Sequence, residues 1–225
     1  MFYLPDINTN KNQFVIWSGG ADSTLLLHEL AERYGTKRYP VKAISIRHDL
    51  VDNCKQNAES LKRQLFLAKA KSEGLHIDNL EITVSLKGFD KFRVYNHGIG
   101  QAPIWIANIP HYLADEDYLH FGYIKGDDFW FHKEDFTKTL DSTFALMGKK
   151  VEARYPLQYM TKTQILMELE KRGLSNMYVS CQILNEDGSD CGHCASCVSI
   201  RNAKLEIEYL EKQKEDKKEI QLLSK

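Results

Sequence analysis

The feature that most constrains the fold is a loop of small residues that follows an apolar run near the start of the chain. Residues 13–17 are largely apolar and partly β-branched, as is typical of a buried strand. The loop Ser18-Gly-Gly-Ala-Asp-Ser23 comes next, and a leucine-rich helical pattern begins at its end. A strand, a glycine loop and a helix start in this order predict an α/β unit.

The same loop has the chemistry of an anion site. Its two glycines allow the backbone to approach a ligand, and the N–H groups and dipole of the helix start attract phosphate. Ser18, Ser23 and Thr24 add hydroxyl donors. The alternative is an ordinary strand-to-helix turn, where serine, glycine and aspartate are common. The loop lacks the Gly-Lys-Ser/Thr of Walker loops and the third glycine of the dinucleotide fingerprint.

Strand and helix patterns alternate along the rest of the chain. Strand patterns cover residues 39–47, 80–84, 119–124 and 150–155, and helical patterns cover 53–73, 104–114, 135–147 and 161–173. This alternation predicts a doubly wound parallel α/β sheet, whose ligands bind beyond the carboxyl ends of the strands. We expect an α/β nucleotide-binding domain over residues 1–160 and a C-terminal helical segment over 161–225.

Two loops follow predicted strands at the ligand edge of the sheet. Asp127 and Asp128 come after the fourth strand and suit a magnesium ion or a substrate amine, although Gly-Asp is also common in turns. Residues 86–100 are irregular and carry Phe92 and Tyr95. They are either a surface loop or a lid that stacks on a planar ring.

Lys162 stands in the first turn of the helix that opens with the capping-box pattern of residues 161–164. A lysine there opposes the helix dipole, which hints at a ligand phosphate. A solvated surface lysine is the alternative.

Four of the five cysteines form one cluster with the spacing C-x9-C-x2-C-x2-C: Cys181, Cys191, Cys194 and Cys197. Four thiolates close a tetrahedral Zn2+ shell, which leaves no open position and therefore predicts a structural metal. An iron–sulfur cluster is the chemical alternative. In a reducing compartment this crowding favours a metal over disulfides.

Net charge and the length of the apolar runs limit the classes of partner that we expect. The formal net charge of −1 gives no overall basic field, so a nucleic-acid partner is not indicated. Residues 1–12 lack a signal-peptide pattern, and no apolar run is long enough for a membrane span, so we expect a soluble, cytoplasmic protein without a membrane partner. The charged residues 205–225 predict a solvated helix, with a homodimer helix as the alternative.

Both motifs together resemble a known family. The S-G-G-A-D-S loop is similar to the pyrophosphate (PP-loop) motif of the ATP-pyrophosphatases, and the cysteine segment with the following Arg201 is similar to that of 7-cyano-7-deazaguanine synthases, the QueC-like family. Residues 157–165 and the polar pair Gln56 and Glu59 add to the resemblance, which runs from about residue 13 to 205.

The resemblance implies an enzyme that uses ATP with Mg2+ to adenylate a deazapurine carboxylic acid, 7-carboxy-7-deazaguanine. Ammonia then gives an amide, and a second activation gives the nitrile. It implies catalytic roles for Asp22, Ser23 and Lys162. It also implies ATP-phosphate binding by six loop residues: Ser18, Gly19, Gly20, Asp22, Ser23 and Thr24.

The middle of the chain departs from the family. The family has an arginine-asparagine pair where this chain has residues 99–104, and a Tyr-Pro-Asp-Cys-Arg run where it has residues 131–135. We expect substrate contacts from five residues near these segments: Asp128, Lys133, Phe92, Tyr95 and Trp105.

Three alternatives therefore stay open. One is a ligase that joins the acid to a protein or other macromolecular amine. Another is a tRNA-sulfurtransferase-like enzyme, for which only Cys54 lies outside the cysteine cluster. The third is a nucleotide-binding module without turnover.

Overall fold

The computed structural model describes residues 11–48, 53–85 and 101–223. In this part of the chain five parallel strands form one sheet in the order β3-β2-β1-β4-β5. The strands are β1 (Gln13–Ile16), β2 (Val41–His48), β3 (Ile77–Val84), β4 (Tyr118–His120) and β5 (Glu152–Arg154). The strand order reverses between β1 and β4, which is where a doubly wound sheet opens a crevice for ligands.

Six α-helices lie in the described ranges: α1 (Ala21–Tyr34), α2 (Asn53–Ser72), α3 (Gln101–Asn108), α4 (Lys133–Leu146), α5 (Lys162–Lys171) and α6 (Ala195–Leu223). Short 3-10 turns at Ile109–His111 and Asp128–His132 follow α3 and precede α4. None of the described helices is both long and apolar enough to cross a membrane.

The central strand β1 divides the apolar residues into two cores because alternate side chains point to opposite faces of the sheet. Val15 and Trp17 pack with α1, α2 and α5 on one face. Phe14 and Ile16 pack with α3 and α4 on the other. Helices cover both faces, which confirms the predicted doubly wound α/β fold.

Several element bounds differ from the sequence-based ones. β3 begins at Ile77, three residues before the predicted start. β4 ends at His120, because the chain leaves the sheet after Phe121 and turns toward α1 at Gly122. The predicted helix start at Asp135 is wrong: the 3-10 turn runs directly into α4, which begins at Lys133.

Some predicted contacts fall outside the described residues. They are Phe92 and Tyr95 in the segment 86–100, together with the side chain of Asp128.

Candidate active site and metal centre

A cleft opens at the carboxyl ends of β1 and β4 and encloses about 360 Å³. Seven stretches of chain meet there: the glycine loop, α2, α3, the segment after β4, the first turn of α5, residues 179–182 and the start of α6. The side chains that carry polar groups into it are Ser18, Asp22, Ser23, Lys55, Glu59, Tyr123, Asp127, Lys162, Ser180, Gln182, Ser196 and Ser199.

The backbone of the glycine loop is fixed by its neighbours. Gly19 has a φ of +83°, a conformation that side-chain-bearing residues rarely adopt. Its carbonyl oxygen accepts a hydrogen bond from the amide of Val179 at 2.9 Å. Gly20 is the N-cap of α1. The glycine loop therefore connects the carboxyl end of β1, at the ligand edge of the sheet, directly to a helix N-terminus.

The hydroxyls predicted for phosphate binding divide into two groups. Ser18 and Ser23 line the cleft, and their Oγ atoms lie 3.1 Å apart. Thr24 is fully buried, and its Oγ1 accepts a hydrogen bond from Trp17 Nε1 at 3.1 Å. The Thr24 hydroxyl therefore holds α1 against β1 and does not line the cleft.

Asp22 and Lys162 form an ion pair in the cleft although 140 positions separate them, with Lys162 Nζ donating to Asp22 Oδ2 at 2.5 Å. The capping box of Thr161 and Gln164 fixes the start of α5, as predicted, and so directs Lys162 toward α1. The second carboxylate oxygen of Asp22, Oδ1, is buried and has no protein partner. A buried, unpaired carboxylate oxygen is costly without a donor or a cation.

Gly122 is a functional position that the sequence reasoning missed. A Cβ added there would lie 2.8 Å from the backbone nitrogen of Ser23. Only glycine lets the segment after β4 pass this close to the start of α1 and form the cleft between them. A glycine directly after a buried strand was the available signal.

The residues predicted for substrate contact have different surroundings. Trp105 is 8% exposed, lines the cleft and lies near the rings of Phe121 and Tyr123. Lys133 instead places its Nζ over the rings of Trp130 and Tyr155, at 4.6 and 4.9 Å from their centroids.

Around Trp105 the cleft has an aromatic wall. Tyr123 lines the cleft and stacks on Phe129 with 3.7 Å between ring centroids. Burial raises the pKa of Tyr123, so its hydroxyl stays protonated and can donate a hydrogen bond. Asp127 also lines the cleft, and its Oδ2 accepts from the amide of Ile124 at 3.1 Å.

A smaller cavity adjoins the cleft on the β2 side and shares Ser18, Lys55, Glu59 and Trp105 with it. Glu59 pairs with Lys55 at 3.8 Å and with Arg63 at 3.7 Å. Burial raises the pKa of the Glu59 carboxyl, and these cations oppose that shift. Lys55 was missed from the sequence because nothing local distinguishes it from a solvated helix lysine.

Four thiols gather into one compact group, as their spacing predicted. The sulfurs of Cys181, Cys191, Cys194 and Cys197 all lie within 4.8 Å of one another, and those of Cys191 and Cys197 are 3.9 Å apart. A single ion with metal–sulfur bonds of about 2.3 Å sets its four sulfurs about 3.8 Å apart. The donor set therefore fits one tetrahedral metal ion.

Backbone N–H groups contact the thiols. The amides of Cys191, Cys194 and Gln182 donate to sulfurs at 3.3 to 3.4 Å. Burial raises the pKa of Cys194, but hydrogen bonds from the Gln182 and Cys197 amides and from neighbouring thiols outweigh burial and lower it to about 6. Burial raises the pKa of Cys181 and Cys197. His193 is exposed and bonds to the Cys191 carbonyl oxygen through Nδ1, so it lies outside the shell.

The cysteine cluster borders the cleft. α6 begins at Ala195, between Cys194 and Cys197 of the cluster, and its first turn brings Ser196 and Ser199 to the cleft. The sequence reasoning treated the two sites as separate because nothing local in the chain joins them.

Comparisons with known proteins identify one family and one solved structure to which the chain is similar. No curated protein sequence matches the chain significantly. Among solved structures, the U34-tRNA thiolase NcsA from Methanococcus maripaludis, described with its [4Fe-4S] cluster, aligns with 17% identity and a TM-score of 0.48 over 90% of this chain and 67% of its own. Residues 119–208 match the family described as Queuosine biosynthesis protein QueC. This match, over two fifths of the chain, agrees with the resemblance to the QueC-like family that the cysteine segment indicates.

Proposed function

We propose that the protein is an ATP-dependent enzyme that adenylates a deazapurine carboxylic acid, by family resemblance 7-carboxy-7-deazaguanine, and transfers the acyl group to a nitrogen nucleophile. The observation that carries the proposal is the convergence of the glycine loop and the Asp22–Lys162 pair on one cleft at the β1–β4 crevice. This is the edge at which doubly wound sheets bind nucleotides.

The phosphates of ATP have a natural seat at the start of α1. The N–H groups of its first turn and the hydroxyls of Ser18 and Ser23 supply donors, and Lys162 supplies a positive charge. Mg2+ would be held by the unpaired Oδ1 of Asp22, with Asp127 nearby on the cleft wall, and would offset phosphate charge.

The acid suits the aromatic part of the cleft. A planar deazapurine ring fits the aromatic wall of Trp105 and Tyr123, where ring faces stack. The adjoining cavity beside β2, at about 30 Å³, is too small for the nucleoside of ATP, which must lie in the main cleft.

The chemistry requires positioning and charge neutralisation more than proton transfer. A carboxylate oxygen of the acid attacks the α-phosphorus, the α–β phosphoanhydride bond breaks, and pyrophosphate leaves with the bonding electron pair. The amine then attacks the acyl carbon, AMP leaves, and the amine proton passes to solvent. Lys162 counters the negative charge that grows on the phosphates, and its bond to Asp22 holds it in place.

We further propose that the cysteine cluster binds zinc. Its sulfur separations suit a single ion, whereas an iron–sulfur cluster inserts a cage of irons and sulfides between its thiolates and so spreads them further. Four thiolates leave no open position, so zinc would supply structure and no step of the reaction. The predicted cytoplasmic location stays a prediction.

A ligase for a macromolecular amine is the second candidate. Residues 131–135, which stand where the family has its substrate run, support it, and Phe129 and Trp130 just before them pack on Tyr123 and Tyr155. Phe92 and Tyr95 stay predicted walls of the channel that such an acceptor needs.

The test measures exchange of labelled pyrophosphate into ATP with and without 7-carboxy-7-deazaguanine, followed by mass spectrometry of products formed with ammonium or with protein amines. Acid-dependent exchange that Lys162→Met lowers by at least tenfold supports the adenylation. Nitrile from ammonium alone eliminates the ligase, and an adduct on a protein amine favours it. Absence of acid-dependent exchange contradicts both candidates.

A further inference from the structure

Two of the walls of the cleft are held in place by different parts of the protein. One wall is the glycine loop on the sheet. The other, which we call the knuckle wall, comprises residues 179–182 and the first turn of α6. The two walls meet at the hydrogen bond from the Val179 amide to the Gly19 carbonyl oxygen, 2.9 Å long.

The knuckle wall is tied to the four cysteines at both of its parts. The amide of Gln182 donates to Cys194 Sγ at 3.4 Å, while the Gln182 residue itself lines the cleft. α6 begins one residue after Cys194 and carries Cys197 in its first turn. The direction in which Ser196 and Ser199 point therefore depends on the positions of two sulfurs.

Little apolar burial holds the cysteine cluster itself. The loop at 185–190 is exposed, Leu184 is the buried aliphatic residue of the cluster, and the half-buried Ala58 and Val179 pack against it. From Ile200 onward α6 packs on the main core. Ala203 is buried in that core, and Glu206 accepts a hydrogen bond from Thr163 of α5 at 2.5 Å. Loss of the metal should therefore release the knuckle wall and leave the rest of α6 docked.

We infer that the metal centre sets the affinity of the cleft for its nucleotide, with Gln182, Ser196 and Ser199 as binding residues and the four cysteines as the residues that position them. The inference rests on the proposed binding of ATP. Serine hydroxyls and an amide at a helix start are donors that suit the phosphates or the acyl-adenylate carbonyl.

Linkage makes the inference reciprocal. If the metal strengthens nucleotide binding by some factor, the nucleotide must strengthen metal binding by the same factor. A merely structural metal at a distance from the ligand would show neither effect once the fold is retained.

The experiment titrates the zinc-loaded protein and the chelator-treated protein with α,β-methylene-ATP, which cannot be cleaved between its α- and β-phosphates. Far-ultraviolet circular dichroism checks that the sheet persists. We expect the dissociation constant to rise at least tenfold without metal. We also expect saturating analogue to raise the affinity for zinc at least tenfold, measured at equilibrium against a chromogenic chelator.

Variants separate the binding residues from the fold. In the zinc-loaded protein, Ser196→Ala with Ser199→Ala should raise the dissociation constant several-fold at unchanged zinc content. Asn202→Ala, an exposed residue of α6 that does not line the cleft, is the matched control and should change neither.

The outcomes that overturn the inference are distinct from failure of the proposed function. Equal analogue affinity in folded protein with and without metal overturns it, and so does an unchanged affinity of the double serine variant. If chelation unfolds the whole chain, the double serine variant alone tests the inference. No analogue binding to the zinc-loaded wild type contradicts the proposed function instead.

Discussion

The glycine loop and the cysteine knuckle line the same cleft but are built by different forces. The loop follows a strand whose residues are at most 4% exposed, and Trp17 and Thr24 fasten it to the core. The knuckle has four thiols, one buried leucine and an exposed loop. Hydrophobic burial preforms the first site, whereas the second has little apolar burial and presents four thiols that suit a metal.

The largest effect is expected from a substitution that disrupts the cysteine knuckle and leaves the sheet intact. Cys194→Ser should abolish zinc binding and cost the knuckle several kcal/mol of local stability, because metal binding there contributes folding free energy. Metal analysis and limited proteolysis would show loss of zinc and cleavage between 182 and 193, with the sheet intact. His193→Ala is the control and should retain zinc, since His193 lies outside the shell. Full zinc content in Cys194→Ser would contradict the ligand assignment.

A matched pair of glycines probes the preformed site. Gly122→Ala puts a methyl group 2.8 Å from the Ser23 nitrogen, and such overpacking costs about 1–3 kcal/mol. Gly20→Ala meets nothing closer than Ser18 Oγ at 3.4 Å, so its free energy of unfolding should stay within about 0.5 kcal/mol of wild type.

Urea unfolding measures the stability of both variants, and titration with the ATP analogue measures binding. We expect Gly20→Ala to weaken binding of the ATP analogue in a stable protein, because Gly20 lines the cleft where the phosphates are proposed to bind. If Gly122→Ala proves as stable as wild type, the close approach of the two segments is wrong.

The smallest expected effect is the pH dependence of stability that comes from His120 in strand β4. Burial, with help from the Arg154 charge, lowers the pKa of His120 to about 3. The unfolded chain takes up this proton near pH 6.5 and the folded chain does not, so stability should fall as pH drops below about 6.5. The slope from this residue is at most about 1.4 kcal/mol per pH unit.

The difference between wild type and His120→Gln isolates this contribution. Glutamine keeps an N–H donor for Gln13 Oε1, which lies 2.9 Å from His120 Nε2. Urea unfolding at pH 7.5 and 5.5 should show a smaller acid loss in the variant. Equal losses would mean that His120 is protonated in the folded state.

The features that the sequence predicts are those fixed by residues close to one another in the chain. The capping box at Thr161 and the cysteine spacing are short-range patterns, and both have the predicted form in the structure. The apolar run at residues 13–17 also forms the buried strand that its composition predicts. Each of these features is decided by residues within one turn, one strand or one loop.

What the sequence could not predict depends on segments that meet only in three dimensions. Gly122 matters because of Ser23, and the roles of Lys55 and Gln182 come from a cleft assembled by distant parts of the chain. The rings under Lys133 likewise come from a turn and a strand end that no periodicity brings together.

The central position of β1 has a consequence for biosynthesis. β1 pairs on one side with β2, which follows it closely, but on the other side with β4, which is made only after α1, β2, α2, β3 and α3. During translation one edge of β1 therefore waits with unpaired backbone groups, and such edges are sites of aggregation. The ribosome must also release α6 before the last wall of the cleft exists, so the cleft is completed only after all five strands have been made.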